Sequence, residues 1–585
     1  MAKWHLTRRR APLAAAVLCT LACAAAQAAP PALFPEEQIR PGMRGRVETV
    51  LRGAERESLD VEFLGVLPDG IAPGVDLILG RFVDEKGSYT GAAAGMSGSP
   101  VTVDGKLVGA LSYSIGQFTK EQIFGVTPIK SMLALRELPS GAVPWTLAPA
   151  ATGGLRPIPF ALAAPGLPPA TLDQLGDLLD QIGLSRAAAF PASSAPDAPR
   201  SPAAGDMISA LLIWGDAKLG ASGTVTWRDG DSLLAFGHPF LGAGRIEAAL
   251  AATDVLWTVP SALGSFKIAR IGDPIGALRQ DRATAIAGEL GAPPAGLPVS
   301  VTVRRAGRPD VRKQFFVARD PFLAPVLVAT ASRIAVFDLL GADRDESLRL
   351  AGAAVLEGGR AVPLSAASGV AGPLAAKDQP LSLELLRKVG ALMRPPTPLP
   401  ALQRVDVVVE ARSGDDAWRV ARALPDRLAA RPGETVRVAV DLESSRRGTR
   451  RETLELVVPR DAAPGRTIIV VGAAPAVAGE LGSLGEARRR TADEGETYLA
   501  ALGEDPPDDR LDGALLRPAE GIVAEGREFP ALPNSAHLLI RSRPGGAELY
   551  RARWLVLARA ERALDRAALD AAHAPLDILP AEPAR

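Results

Sequence analysis

Cysteine and histidine are nearly missing from this chain: two of the former and four of the latter in 585 residues. Both cysteines, Cys19 and Cys23, and one histidine, His5, fall in the first 28 residues. That stretch has a basic head (Lys3, Arg8, Arg9, Arg10), an apolar run from Ala11 to Ala26, and the small-x-small sequence Ala26-Gln27-Ala28. It reads as a secretory signal peptide over residues 1–28, and the expected location is exported, periplasmic or extracellular. The apolar run falls short of the roughly 20 residues of a membrane span. Thr20-Leu21-Ala22 before Cys23 is a poor lipobox. Cleavage leaves no cysteine and three histidines: His238, His537 and His573. Disulfides, thiol nucleophiles, zinc–cysteine sites and multi-histidine metal clusters cannot be built from that inventory. No metal and no cofactor are expected.

Aromatic residues are scarce as well, at 4%, and neither sign of charge dominates, with 66 basic and 66 acidic residues. Loss of the four basic signal residues leaves the mature chain mildly acidic. A basic field for nucleic acid is therefore absent, and no nucleic-acid partner is expected. No stretch after the signal is long enough, without charges, to span a membrane. Hydrophobic residues, at 47%, are plentiful, as are glycine (58) and proline (51). Packed cores of short strands joined by tight turns are expected, in roughly three to five domains.

Glycines punctuate strand-like runs such as Arg46–Leu51 and Leu59–Leu67 in a region of about 38–140. It closes with Thr127-Pro128, read as N-cap and first residue of a helix over Lys130–Leu138. Leu172, Leu175, Leu179 and Ile182 have helical spacing, and residues 186–206 form a Pro/Ala/Ser linker. A second β-rich region follows at about 207–335. In it Ser222–Trp227, Asp229-Gly230 and Ser232–Phe236 read as a hairpin, and Val299–Arg304 and Lys313–Val317 as a strand pair. Prolines 395, 396, 398 and 400 mark another linker. Val405–Glu410, Thr435–Leu442, Thr453–Val458 and Thr467–Val471 then predict a small β-sandwich, followed by a helix near Glu486–Leu502 and a strand at Leu549–Leu557.

The most informative string is Gly95-Met96-Ser97-Gly98-Ser99-Pro100, continued by the hairpin turn at Asp104-Gly105. Glycines on either side of a serine let the backbone aim the N–H groups of Gly95 and Ser97 at one point, as an oxyanion hole requires. A serine needs a base. His238, in Leu234-Ala235-Phe236-Gly237-His238-Pro239-Phe240, follows an apolar strand and enters a Gly/Pro-shaped loop; His537 and His573 have no such setting. Asp229, Asp231 and Asp273 are acidic residues placed to orient an imidazole. The run Ser265–Asp273, leading to Gln280-Asp281-Arg282, reads as strand and loop with internal hydrogen-bond partners and no assigned chemistry.

Gly-Met-Ser-Gly-Ser-Pro and the hairpin after it resemble the nucleophile turn of chymotrypsin-like peptidases, and more closely that of the SpoIVB-type sporulation peptidases. That family also has a Gly-His turn after an apolar strand. The resemblance implies Ser97 as nucleophile, Ser99 as a bystander, His238 as general base and Asp84, thirteen positions before Ser97, as the acid that orients it. The family runs histidine, aspartate, serine, whereas this chain runs Asp84, Ser97, His238; triads tolerate such reordering because geometry decides. No PDZ module precedes the serine turn. The implied fold is mainly β: two chymotrypsin-like β-barrel halves in permuted order, plus a C-terminal β-sandwich and a small mixed α/β tail. The corresponding boundaries are 29–145 (serine half), 146–206 (helix and linker), 207–335 (histidine half), 336–402 (connection), 403–475 (sandwich) and 476–585 (tail).

The expected function is an exported serine endopeptidase acting on a protein or peptide that pairs with the strand Leu107–Ser114. The alternative is a non-catalytic, peptidase-like scaffold of the cell envelope, its β-sandwich holding a partner. Gly95-Met96-Ser97-Gly98-Ser99 does not fit the Gly-x-Ser-x-Gly elbow of an esterase.

Overall fold

The computed structural model describes residues 31–116, 120–137, 155–163, 201–340, 346–369, 374–413, 417–444, 447–481, 495–524 and 550–581. Short pieces at 192–194 and 527–529 and single residues at 173 and 535 complete it. The expected signal peptide, the helix over 172–182 apart from residue 173, His537 and most of the Pro/Ala/Ser linker lie outside the described residues.

The chain is mainly β. Its first unit has β1 (Arg44–Arg52), β2 (Glu55–Ala72), β3 (Val75–Phe82), helix α1 (Glu85–Thr90), β4 (Ser99–Val103), β5 (Lys106–Ile115), β6 (Ile123–Pro128) and helix α2 (Ile129–Leu133). The six strands pair antiparallel in the order β1-β2-β3-β6-β5-β4 and back to β1, so the sheet closes on itself. Closure removes exposed edges, and alternate residues such as Val47, Val61, Ile78, Val101, Leu111 and Phe124 fill the interior. Helix α2 starts one residue later than Thr127-Pro128 implies and ends at Leu133, a 3₁₀ turn continuing over Ala134–Glu137, and its cap differs too. Pro128 occupies the N-cap without a side-chain bond, because the Thr127 hydroxyl is spent on Gly237 O at 2.6 Å.

Two short strands, β7 (Leu155–Pro157) and β8 (Ala161–Ala163), form a strap to the second unit, and β9 (Ala192–Ser194) lies parallel to a strand of that unit. The second unit contains β10 (Met207–Gly215), β11 (Leu219–Asp229), β12 (Ser232–Ala235), β13 (Gly244–Val259), β14 (Phe266–Arg282) and β15 (Ala285–Leu290). These also close, in the order β10-β11-β12-β15-β14-β13 and back to β10. The hairpin expected across Asp229-Gly230 is β11–β12.

The segment expected as a connection is instead packed core. From β10 the sheet runs on through β17 (Val311–Val317), β16 (Leu297–Arg305), β20 (Leu402–Ser413), β18 (Glu346–Leu356) and β19 (Ala361–Ala367). Helices α3 (Leu323–Leu340) and α4 (Leu374–Met393) cover it and share its apolar core. Helix α3 is long and apolar enough to cross a membrane, yet 89% of it is buried inside the protein. Its charge is matched there: Arg333 Nε donates to Asp378 at 2.7 Å, and Ser382 donates to the same carboxylate at 2.6 Å.

Strand β20 contains the first strand expected of the C-terminal sandwich. Its partners are β16 and β18, so it belongs to the large sheet. Alternation along a strand reports which face is buried and not which neighbour it pairs with. The sandwich takes its replacement strands from the expected tail. Arg510–Ala524 and Ala571–Ile578 flank Gly465–Ala473, and this sheet packs on the sheet of Trp418–Pro425, Thr435–Ser444 and Gly448–Val457 over one core.

Candidate active site

The serine turn and the histidine turn meet where the two closed sheets abut. The seam is stitched by backbone bonds: Gly53 with Val255, Ala94 N–H to Ser265 O at 2.7 Å, and Thr224 N–H to Ser97 O at 2.7 Å. Hydroxyls of β11 reach the same turn, Thr224 onto Gly95 O at 3.0 Å and Thr226 onto Gly98 O at 2.7 Å. Glycine is required at 98 for two reasons: its φ is +95°, and a Cβ there would stand 2.1 Å from Thr224 O.

Ser97 is fully buried, and its Oγ donates to Phe236 O at 2.7 Å. Around it, the N–H groups of Met96, Gly98 and Ser99 are committed to the carbonyls of Ala93, Leu111 and Met96. Among the described residues, the N–H groups of Gly95 and Ser97, nominated for an oxyanion, are the turn's remaining donors. Ser99 Oγ donates to Met96 O at 2.6 Å and lies 3.0 Å from Thr49 Oγ1, a structural arrangement.

Two residues beyond the carbonyl that holds Ser97 comes His238. Phe236 has φ +73°, rare for a residue with a side chain, and Gly237 follows at +72°. That double left-handed step turns the chain out of β12 and presses Gly237 against Ala110 and Ser112 of β5. The imidazole is fully buried, with ring centroids 4.8 Å from Phe160 and 6.1 Å from Tyr113. Burial pushes its pKa down to about 4, against the pull of the Pro239 and Ile158 carbonyls. The ring is therefore neutral. Nδ1 lies 2.8 Å from Pro239 O; a carbonyl only accepts, so Nδ1 carries the proton. Nε2 bears the lone pair and makes no hydrogen bond among the described residues; the Ile158 carbonyl acts on the ring from outside hydrogen-bond geometry.

The structure does not hydrogen-bond Ser97 to His238, and it does not join Asp84 to either. Asp84 caps its own helix, Oδ1 accepting from Gly87 N–H at 2.6 Å. The other acidic residues are engaged elsewhere: Asp273 with Lys218 at 3.0 Å and Asp229 near Arg136 at 3.9 Å, while Asp231 gives its backbone carbonyl to Leu290 N–H. His573 is half exposed on the C-terminal sandwich, 3.8 Å from Glu480.

The strap covers this site. β7 pairs antiparallel with Tyr113–Ile115 of β5, Ile158 N–H donates to Ser112 O at 2.9 Å, and β8 pairs with β11. Ile158 is buried in the first core, and Phe160 packs on Phe236, His238 and Phe240. The strand edge read from sequence as a peptide-pairing surface is thus occupied by the chain itself.

Sequence reasoning missed Lys267. Its fully buried ammonium donates to Thr49 Oγ1 at 2.9 Å beside the serine turn, and desolvation pushes its pKa down to about 7. One lysine in an alternating strand gives no signal of this, because only the docking of the second unit buries it. A depressed amine binds fewer protons folded than unfolded. Its stabilising contribution is therefore full above the unfolded value of 10.5 and is lost as pH falls toward 7. His238 acts likewise between 6.5 and about 4. Unfolding stability is expected to rise between pH 7 and 10, by at most about 1.4 kcal/mol per unit for this group. Denaturant titrations of wild type and Lys267→Met check it: the variant should lose that rise, and an equal rise in both would refute the assignment.

The chain matches no family model, no curated protein and no solved structure.

Proposed function

We propose that the protein is an exported serine endopeptidase of chymotrypsin-like design, its two barrels exchanged along the chain, with Ser97 as nucleophile and His238 as base. The observation that carries this is the pair of closed six-stranded sheets whose seam holds Ser97 Oγ on the carbonyl of Phe236, two residues from a neutral histidine with a bare Nε2. The form at hand is the closed one, with the strap where an extended substrate would lie.

On opening, Ser97 Oγ leaves Phe236 O and engages Nε2. Oγ then attacks the scissile carbonyl carbon and its proton passes to Nε2. The N–H groups of Gly95 and Ser97 receive the oxyanion. The C–N bond breaks as His238 returns the proton to the leaving amine, and water hydrolyses the acyl-enzyme by the same route. The complete burial of both groups favours one rival, a peptidase-like scaffold of the envelope whose seam never opens.

A fluorophosphonate probe decides between them. The mature protein should label slowly, and Ser97→Ala should abolish labelling. Label persisting in Ser97→Ala would remove Ser97 from the role. No label in either protein, even with the strap released, would favour the scaffold.

A further inference from the structure

We infer that Asp281 is the acidic partner of His238, acting as a positioning residue through the peptide unit that joins Pro239 to Phe240. Its catalytic consequence rests on the serine-peptidase reading above; its structural content does not.

Asp281 is fully buried in β14, between Gly244 of β13 and Ile286 of β15. Its carboxylate faces the turn that follows His238. Oδ1 accepts from Phe240 N–H at 2.7 Å, and Oδ2 from Leu241 N–H at 2.7 Å and Ala243 N–H at 3.1 Å. A buried carboxylate is costly unless such donors surround it, and here every donor comes from one four-residue stretch. Desolvation is the larger effect and raises its pKa against the pull of these N–H groups; because both oxygens accept from N–H donors, the carboxylate is the form that fits this turn.

The first of these bonds is the decisive one. No peptide bond among the described residues is cis, so the N–H and C=O of the Pro239–Phe240 unit point in opposite directions. One end of that amide faces Asp281, and the other, Pro239 O, faces His238 Nδ1 at 2.8 Å. The order is carboxylate, N–H, C=O, H–Nδ1. Negative charge on the N–H side polarises the amide and makes Pro239 O a stronger acceptor. The Nδ1–H tautomer is fixed, Nε2 is kept bare, and the charge that develops on the ring during proton transfer is stabilised. A directly bonded aspartate does these things in a Ser-His-Asp triad. Here one amide stands between.

The test is ¹⁵N NMR of the imidazoles in the full mature protein, the His238 signals being those lost in His238→Gln. Wild type should show the Nδ1–H tautomer. Asp281→Asn keeps the shape and removes the charge. It should shift the Nδ1–H resonance, admit the Nε2–H tautomer, and slow Ser97 labelling by on the order of ten- to a hundredfold, less than when a directly bonded aspartate is neutralised. Asp281→Glu, with the charge restored, should recover the tautomer in part, which a purely structural role would not predict. An Nε2–H tautomer in wild type overturns the inference, even if Asp281→Asn fails to fold. So does an Asp281→Asn protein with unchanged ring signals and labelling within about twofold. If the ring signals shift as expected while no protein labels, the link between Asp281 and His238 stands and the peptidase reading falls.

Discussion

A Gly98→Ala protein is expected to be destabilised by about 3 kcal/mol or more, with loosened docking of the two barrels. The added Cβ would meet Thr224 O at 2.1 Å and Phe236 N at 2.4 Å. Both are backbone atoms of the second barrel, so no side-chain rotation relieves the clash. The same residue ties the units together through Thr226 Oγ1 to Gly98 O at 2.7 Å, while its N–H holds Leu111 O of its own barrel, also at 2.7 Å. Gly105→Ala is the matched control. Its φ is also positive, at +74°, but nothing lies within 4 Å of the Cβ position. It should cost only the backbone strain, about 1 kcal/mol. Thermal unfolding and limited proteolysis at the seam measure the difference. Equal losses in the two variants would mean that strain alone accounts for Gly98 and that the barrels are not locked through it.

Releasing the strap should have the largest effect on reactivity. Ile158→Ser with Phe160→Ala removes a fully buried side chain and the ring that covers His238. Each apolar group contributes about 1.5–3 kcal/mol when buried. The open form should therefore gain at least the 1.4 kcal/mol that corresponds to tenfold, and Ser97 labelling should accelerate by more than about tenfold. Phe160→Ala alone, a milder change, should give part of the gain. A synthetic peptide of the sequence Leu155–Ala163 added in trans should slow the labelling again by pairing with the vacated edge of β5. Prolines 157 and 159 flank Ile158, and a tertiary amide after Ile158 is a poor scissile bond, which suits a resident segment. Labelling unchanged on release would show that the strap does not limit access to Ser97.

Much of the architecture was legible before folding. Glycine and proline abundance with few aromatics pointed to a β-rich chain, which it is, but also to short strands, whereas β2, β13 and β14 run to 18, 16 and 17 residues. Alternation located the β11–β12 and β16–β17 hairpins to within a few residues. It could not assign partners, which is why β20 was read into the sandwich and the strands that complete that sandwich were read as a tail. Pairing depends on which apolar faces meet across long stretches of chain.

The serine and histidine turns were legible for a local reason. Gly95, Gly98 and Gly237 adopt positive φ, and that demand is written in the residue type. The acidic partner proposed for His238 was not. Asp84 had the spacing, yet its carboxylate satisfies its own helix, as a carboxylate at an N-cap does wherever it can. Asp281 had no motif to mark it.

The sequence by itself determined the inventory: no thiol after the expected signal, three histidines, one of them in a shaped turn, and a serine between glycines. Tertiary structure decided everything that depends on burial and on contacts between distant segments. It put Ser97 on Phe236 O across 139 positions, stripped water from Lys267 and His238, and laid the strap over the site. It also aimed the Asp281 carboxylate at the turn behind His238 from 41 positions away from Phe240. Backbone conformation is a local property and leaves local traces, whereas desolvation and long-range hydrogen bonds exist only once the two barrels have closed and docked.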